Sequence, residues 1–373
     1  MSLLDKVTSI FGKKSPSVLG IDLGSSAIKV VQIKKKHGRA VLETYGELAL
    51  GPYAGTEIGR STNLSNDKIV EALKDILHEA KTTTNACGVA LPLSSSLISF
   101  ISLPPIGDKH ISEVIALEAR KYIPVPINEV MLDWSVIPRE DSFTTDESDT
   151  PADKAKESQG QDVLVVAISN EYISNYQSIM AGSALAPSFY EIELFSSIRA
   201  SIDQGFQAIM ILDMGARATK LYIVERGILR ASHIINKGSQ DLTLALSKSM
   251  SIPVAQAETM KRTYGLAGGP EYKDQKEIIT VNLDYMFYEA NAVLLNYEKK
   301  SHKNISKVVL TGGGVLLKGF ADLAKSSFQS DVVYANPFGK LETPAFLADQ
   351  LSAAGPEFTV AIGAALRRLG EMS

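Results

Sequence analysis

The chain has 373 residues, of which 45% are hydrophobic and 21% charged, a balance typical of globular proteins. At about 150 residues per domain, this length predicts two or three domains rather than a small disulfide-stabilised scaffold. The net charge of −4 gives no basic footprint for nucleic-acid binding. Cys87 is the only cysteine and the five histidines lack metal-ligand spacing, so a disulfide within the chain is excluded and a zinc or iron–sulfur site is disfavoured.

The first 16 residues carry apolar side chains at helical spacing: Leu3, Leu4, Val7, Ile10 and Phe11. Residues 1–16 are therefore predicted to form an amphipathic segment that lies on a membrane surface or docks on the protein body. No apolar run approaches the roughly 18 residues of a membrane-spanning helix, and no signal-peptide cleavage pattern follows. The sequence thus predicts a cytoplasmic protein.

Strands dominate the first half of the chain. Apolar runs bounded by turn residues predict strands at Val18–Asp22, Ile28–Ile33, Ala40–Leu50, Gly88–Leu91 and Leu97–Leu103. The first three are separated by so few residues that they must be antiparallel neighbours. Helical periodicity predicts helices at Asp67–Lys81 and from about Asp108 to Tyr122, where Pro124 and Pro126 end the second helix.

A polar stretch follows these elements. Residues 140–161 have almost no large apolar side chains, which predicts a mobile surface loop. The same criteria then predict strands at Asp162–Ile168, Ala208–Asp213 and Lys307–Leu310. They predict helices at Ser239–Ser251, Ala255–Tyr264, Ile278–Lys300 and Phe358–Leu369.

One segment of the chain is repeated. Leu19–Val30 aligns with Met210–Leu221 at an offset of 191 residues, with identical residues at Asp22/Asp213, Gly24/Gly215, Ala27/Ala218 and Lys29/Lys220. Each copy has an apolar strand, an aspartate, a glycine turn and a second strand. A duplication at half the chain length predicts two similar domains that face each other.

The first copy has the residues of a phosphate-binding hairpin. Gly24 lets the backbone approach a ligand, and successive N–H groups at such a turn form an anion site. Ser25 and Ser26 add hydroxyl donors, and Lys29 can reach a phosphate as a point charge. Asp22 is suited to hold Mg²⁺ through water. A single turn of this kind is weak evidence, because ordinary hairpins also use Asp and Gly.

The second copy offers the same groups from the opposite half of the chain. Asp213 is a second candidate for Mg²⁺ through water, and the predicted phosphate-binding residues are Gly215, Ala216 and Thr219. Two such hairpins can hold a triphosphate between them.

Two further elements extend the candidate site. Three glycines, Gly312, Gly313 and Gly314, follow an apolar strand and expose backbone to a flat ligand such as a purine, although a tight strand-to-helix turn has the same pattern. Glu258 and Lys261 are three residues apart on one helix face and can hydrogen-bond a ribose. The alternative for this pair is a solvated surface ion pair.

Taken in this order, the elements resemble the actin/Hsp70/hexokinase-like nucleotide-binding superfamily. The resembling parts are its first phosphate motif (Asp22 to Ser26), its second (Asp213 to Thr219), its adenosine motif (Thr311 to Gly314) and its second connecting helix (Thr359 to Leu366). The resemblance implies an α/β, actin-like fold, a duplicated ribonuclease H-like architecture of two facing domains. It also implies that ATP and Mg²⁺ are the cofactors.

Within that superfamily the chain resembles the PilM family of type IV pilus assembly proteins, relatives of the cell-division protein FtsA. The stretches that carry this resemblance are 118–127, 261–265, 336–338 and 355–358. It implies an ATP-binding scaffold on the inner face of the cytoplasmic membrane that binds the N-terminal tail of PilN. Other pilus platform components and motor ATPases are further implied partners, and nucleic acid is not.

The resemblance also implies a domain plan. A first core subdomain covers 17–90 and is completed by 169–205 and 355–373, and an FtsA-type inserted subdomain covers 91–168. The second domain covers 206–354 and includes a helical subdomain at about 252–304. In the family the peptide groove lies between the insert and the first core subdomain. The candidate lining is Arg120, Tyr122, Ile123 and Pro124, although these residues can equally end a helix and pack.

The second phosphate motif departs from that of hydrolysing relatives. Lys220 stands where those relatives have a second acid, and a lysine can neither hold Mg²⁺ nor position a water. We therefore expect nucleotide binding with slow or no turnover and assign no catalytic residue. Two alternatives stay open, a small-molecule kinase of the same fold and an FtsA-like membrane-associated filament protein.

Overall fold

The computed structural model describes residues 17–103, 111–138, 161–203, 205 and 207–371, without the side chains of 111 and 112. The predicted amphipathic segment at 1–16 lies outside these residues, as does all of the predicted loop except Gln161. The chain forms two compact units. We call Pro92–Ile179 the inserted unit and the described residues on either side of it the core unit.

The strands are numbered in chain order. They are β1 (Ser17–Leu23), β2 (Ala27–Lys36), β3 (Arg39–Ala49), β4 (Ala86–Leu91), β5 (Ser96–Leu103), β6 (Val130–Val136), β7 (Gln161–Ser169), β8 (Ala186–Ile192), β9 (Ala208–Met214), β10 (Thr219–Glu225), β11 (Ile228–Ile235), β12 (Ile305–Thr311) and β13 (Asp331–Tyr334). Four of these strands, β6, β8, β11 and β13, were not predicted from the sequence.

The helices follow the same numbering. They are α1 (Asn66–Glu79), α2 (Ile111–Ala119), α3 (Asn170–Gly182), α4 (Glu193–Ser201), α5 (Ser239–Met250), α6 (Val254–Tyr264), α7 (Lys273–Ser301), α8 (Phe320–Ser327) and α9 (Ala348–Glu371). No helix in the described part of the chain is both long and apolar enough to cross a bilayer.

The core unit contains two five-stranded sheets with the same topology. Their strand orders are β3-β2-β1-β4-β8 and β11-β10-β9-β12-β13. In each sheet the first three strands are antiparallel and the last two join in parallel. The repeated segments form the equivalent hairpins β1–β2 and β9–β10, so the duplication in the sequence is a duplication in the fold.

Each sheet is covered by helices on an apolar face. Behind the second sheet, α5 and α7 contribute Leu242, Leu246, Leu283 and Phe287 to one buried cluster. Beside the first sheet, α9 packs on β1, where Gly20 lets its backbone approach because a β-carbon there would collide with the Ala361 carbonyl. This packing brings the last helix directly behind the first hairpin.

Helix α9 is longer than predicted. The sequence predicts a helix from Phe358, but the helix begins at Ala348 and continues through Pro356. A proline inside a helix normally breaks it, because its ring removes one backbone donor. Here the Pro356 carbonyl accepts hydrogen bonds from the Gly312 N–H (2.8 Å) and the Thr311 hydroxyl (2.8 Å). These contacts join the helix to the glycine motif.

The inserted unit has a three-stranded antiparallel sheet of order β5-β7-β6, with α2 in its core. Ile123 follows α2 and packs in this core with 8% exposure, as the alternative of a residue that ends a helix and packs predicts. Arg120 and Pro124 are exposed, and Tyr122 is 49% exposed. In this turn Ile123 is therefore buried between exposed residues on both sides.

Candidate functional site

The first hairpin places a lysine directly opposite an aspartate. Asp22 near the end of β1 pairs in register with Lys29 of β2, which puts both side chains on the same face of the sheet. The Lys29 ammonium also lies 3.2 Å from the carboxylate of Glu47. The turn between the strands is tight, since a β-carbon on Gly24 would stand 2.8 Å from the Ala27 carbonyl oxygen.

The backbone of this turn is held from behind. The carbonyl of Ser25 accepts a hydrogen bond from the Thr62 N–H, and that of Ser26 accepts one from the Leu50 N–H, both at 2.8 Å. In a trans peptide the C=O and the following N–H point in opposite directions. The Ser26 N–H is therefore directed away from Thr62, the side on which an anion can bind.

The second hairpin is held in the same way by α5. The carbonyls of Gly215 and Ala216 accept hydrogen bonds from the N–H groups of Ser239 (2.9 Å) and Gln240 (3.0 Å). The N–H groups of Ala216 and Arg217 consequently point away from α5. Thr219 is buried, and its hydroxyl donates to the Lys237 carbonyl (2.9 Å), so in this structure the hydroxyl braces the hairpin.

The three glycines that follow β12 differ in their surroundings. Gly312 has a φ of +86°, and a β-carbon on it would stand 2.5 Å from Asp213 Oδ1. A β-carbon on Gly314 would stand 2.5 Å from the Met214 side chain. Gly313 is exposed, and the nearest side chain is that of Glu357. Two glycines thus allow close packing against β9, while the third presents open backbone.

Acidic groups from both halves of the core unit surround one lysine. Lys220 Nζ lies 2.6 Å from Glu193 Oε2 at the start of α4 and 3.6 Å from Asp213 Oδ2. Burial acts to lower the pKa of Lys220, but the two carboxylates outweigh it and raise this pKa above its ordinary value. Lys220 thus remains fully charged. Burial raises the pKa of Asp22 to about 6, against the attraction of Lys29.

This donor set does not fit a Mg²⁺ ion held by Asp22 and Asp213. Mg²⁺ requires oxygen ligands and carries water molecules that need space around the carboxylates. Here the Lys220 ammonium, 2.6 Å from Glu193 and 3.6 Å from Asp213, already takes the position between these two carboxylates. Within the described ranges, no group of three or more His, Cys, Asp or Glu side chains is arranged to hold a metal ion.

Glu258 and Lys261 form a buried pair. Each is 6% exposed, and Lys261 Nζ lies 2.8 Å from Glu258 Oε2, so the alternative of a solvated pair is wrong. Burial acts to raise the pKa of Glu258, but Lys261 and the hydrogen bonds from Thr243 and Arg262 outweigh it and lower this pKa. Lys261 also donates to the Ser239 carbonyl at 3.0 Å. The pair therefore ties α6 to the start of α5.

Two carboxylates of the site were missed by the sequence analysis. Glu193 comes directly after β8, and this position at the end of a strand could have indicated a site residue. Glu357 follows Pro356 and lies beside Gly313. Its pKa is raised to about 7 by burial and by the nearby Glu47.

The comparison with known proteins decides the family. The sequence profile described as "Type IV pilus assembly protein PilM" matches residues 20–369, nearly the whole chain. The chain belongs to the PilM family of type IV pilus assembly proteins. The PilM–PilN type IV pilus biogenesis complex has a similar chain, with 25% sequence identity and a TM-score of 0.78, over 94% of this chain and 98% of that chain.

More distant relatives support an actin-like fold. Cell division protein FtsA of Helicobacter pylori is 26% identical over 235 residues, which cover 56% of this chain. The matched region spans 47% of that FtsA, about half its length. MreB5 of Spiroplasma citri bound to ADP has a TM-score of 0.52 at 13% identity, covering 95% of this chain and 96% of that chain. At this identity the likeness is one of fold alone, and it agrees with the predicted α/β, actin-like class.

Proposed function

We propose that this PilM-family chain is a nucleotide-binding scaffold of the type IV pilus platform, which holds ATP in the core unit and the N-terminal tail of PilN on the inserted unit. The observation that carries the proposal is the family match over residues 20–369, together with the likeness to the PilM–PilN complex. On this proposal the chain reaches the cytoplasmic membrane peripherally, through PilN.

The two hairpins support the nucleotide part of the proposal. Their supporting bonds leave the N–H groups of Ser26, Ala216 and Arg217 directed away from Thr62 and α5, as an anion-binding turn requires. Lys29 lies on the same face of the first hairpin as Asp22, and Lys220 lies on the same face of the second hairpin as Asp213. Each hairpin thus places one positive charge opposite its aspartate. The exposed backbone of Gly313 offers a flat surface for a purine.

Slow or absent turnover is part of the proposal. Hydrolysis needs a carboxylate that positions a water, and the carboxylate of Glu193 is instead paired with Lys220 at 2.6 Å. We expect phosphate release well below the roughly 1–100 s⁻¹ typical of kinases. Steady release within that range would contradict this part.

An exposed apolar patch of the inserted unit supports the peptide part. On α2 and the turn after it, Leu117 is 59% exposed, Tyr122 49% and Val125 45%. Isolated apolar residues are common on surfaces, but three within nine residues form a patch of the kind that binds a partner peptide. Tyrosine is among the residues that most often dominate binding energy at interfaces.

The test is calorimetric titration of a synthetic N-terminal peptide of the cognate PilN into the purified full chain, with and without ATP. We expect a Kd of micromolar or below, about −8 kcal/mol or more favourable. A scrambled peptide of the same composition is the control for nonspecific binding. Absence of binding to the PilN sequence in both conditions would contradict the peptide part of the proposal.

Variants locate the binding surface. Tyr122→Ala and Leu117→Ser should each weaken peptide binding about tenfold or more, which is about 1.4 kcal/mol. Leu295→Ser is the matched control, because Leu295 on α7 is 60% exposed but belongs to the core unit. Equal losses in all three variants would indicate that the patch on the inserted unit is not the site.

A further inference from the structure

Lys220 is the second of two lysines placed by the duplication. Lys220 of β10 pairs in register with Asp213 of β9, just as Lys29 of β2 pairs with Asp22 of β1. The two ammonium groups differ in their neighbours. That of Lys29 is paired with Glu47, at a distance of 3.2 Å, whereas that of Lys220 lies between Glu193 and Asp213.

The side chains of Lys220, Glu193 and Asp213 differ in how much of their surface is exposed. The side chain of Lys220 is 18% exposed, while those of Glu193 and Asp213 are 8% and 7% exposed. The two carboxylates are therefore nearly covered, and Lys220 is the most exposed side chain of the cluster. The charge of Asp22 in the first hairpin also acts on the Lys220 ammonium.

The hydrogen bonds of Lys220 leave donor capacity for a ligand. An ammonium group has three N–H donors. Among the described residues, Glu193 Oε2 takes one of them at 2.6 Å, and Asp213 Oδ2 at 3.6 Å is an ion-pair partner beyond hydrogen-bond distance. At least one N–H is thus available to a phosphate oxygen.

Resting on the proposed nucleotide binding, we propose that Lys220 supplies the positive charge that a divalent cation would otherwise bring, so that ATP binds without Mg²⁺. Glu193 and Asp213 hold the ammonium in place as they would hold a hydrated metal ion. A lysine is covalently part of the chain, so its charge is present whether or not Mg²⁺ is. On this proposal the phosphates contact Lys220 together with Lys29.

The first test compares nucleotide affinity with and without the metal. ATP is titrated calorimetrically into the purified full chain in excess Mg²⁺ and, separately, in EDTA. We expect the two dissociation constants to agree within about threefold. A wild-type Kd at least tenfold lower in Mg²⁺ than in EDTA would overturn the proposal, and this comparison requires no variant.

The second test removes the charge. In Lys220→Met the carboxylates of Glu193 and Asp213 lose their counter-charge, so ATP binding in EDTA should weaken at least tenfold and added Mg²⁺ should restore most of it. Lys220→Arg keeps the charge and should retain binding in EDTA. If Lys220→Met binds ATP in EDTA as tightly as the wild type, the proposal is wrong.

A matched control separates charge from ion-pair loss. Lys303→Met also removes a lysine that pairs with a buried carboxylate, that of Glu225 at the far end of β10. ATP affinity in this variant should equal that of the wild type in both conditions. Thermal melting of all variants without nucleotide verifies that they fold, and if Lys220→Met does not, the wild-type and Lys220→Arg titrations still decide.

The two proposals fail in different ways. A wild type that binds ATP only with Mg²⁺ overturns the role of Lys220 and leaves nucleotide binding intact. A wild type that binds ATP in neither condition overturns nucleotide binding itself, and the role of Lys220 with it.

Discussion

Gly59 lies against the carboxylate of Glu258, and a β-carbon on Gly59 would collide with Oε1 of that carboxylate. Gly59 belongs to the segment between β3 and α1, whereas Glu258 lies on α6 behind the second sheet. The Ser61 N–H nearby donates to the side chain of Gln240 at 3.0 Å. These contacts join the two halves of the core unit beside the candidate nucleotide site.

We predict that Gly59→Ala weakens ATP binding about tenfold, or about 1.4 kcal/mol, because the added methyl group prevents this contact. Gly59 also has a φ of +88°, which alone strains alanine by about 1 kcal/mol. Gly55→Ala is the control, since Gly55 has a φ of +65° but open space around it. The measurement is calorimetric titration of ATP into both variants, and equal affinities would refute the prediction.

The raised pKa of Glu357 predicts a pH dependence of stability. This carboxyl has an ordinary pKa of 4.5 and a pKa of about 7 in the folded chain. Its protonated form is favoured by folding, so the stability it contributes is complete below about pH 4.5 and is lost as the pH rises through 7. Glu357→Gln should therefore gain stability relative to the wild type between pH 5 and pH 8, by at most about 3 kcal/mol.

Urea unfolding of both proteins at pH 5 and pH 8 measures this difference. Glu79→Gln serves as the control because the Glu79 side chain is 78% exposed. A difference between Glu357→Gln and the wild type that does not change with pH would show that Glu357 titrates normally.

The sequence predicted the hairpins well because their chemistry is local. Asp22, Gly24 and Lys29 lie within eight residues. Both copies also have the same order of a strand, a glycine turn and a second strand. The position of Glu193 was not predictable in this way. Its contact with Lys220 joins residues 27 positions apart, one on α4 and the other on β10, and only the packing of the two halves brings them together.

Helix boundaries and buried polar pairs were also beyond local patterns. The sequence rule that proline ends a helix fails at Pro356, which lies inside α9 with its carbonyl accepting hydrogen bonds from Thr311 and Gly312. Glu258 and Lys261 were weighed as a solvated pair because their spacing says nothing of what covers them. The inward position of Ile123 depends on the sheet of the inserted unit, which includes the unpredicted strand β6.

A second ionic cluster supports the core unit and shares α4 with Glu193 of the candidate site. Glu191 at the end of β8 is buried and pairs with Arg199 of α4 (2.6 Å) and Arg367 of α9 (2.8 Å). Glu191→Ala should reduce the free energy of unfolding by about 3 kcal/mol, because it leaves two guanidinium groups without their shared carboxylate. Glu371→Ala removes an exposed partner of the same Arg367 and should cost less than about 1 kcal/mol. Urea unfolding of both variants tests this ranking, and equal losses would contradict it.

Two adjacent residues in one turn of the inserted unit, Tyr122 and Ile123, should differ in their effects on stability and on peptide binding. Ile123→Ala should destabilise this unit by about 2–4 kcal/mol, because the side chain is buried in its core. Tyr122→Ala should change stability by less than about 1 kcal/mol yet lose binding of the PilN peptide. Thermal melting and peptide titration on both variants would show this separation. Loss of stability in Tyr122→Ala comparable to that in Ile123→Ala would indicate a structural role for the tyrosine.

The packing of α9 on β1 bears on how the chain is made. Val18 of the first strand and Phe358, Ala361 and Ile362 of the last helix share one hydrophobic cluster. During synthesis, β1 therefore leaves the ribosome long before the helix that covers it exists. The second sheet, whose strands and covering helices all precede α9, can complete its own core first. A stalled or truncated product would consequently present an uncovered first sheet, a surface for chaperones or proteases to recognise.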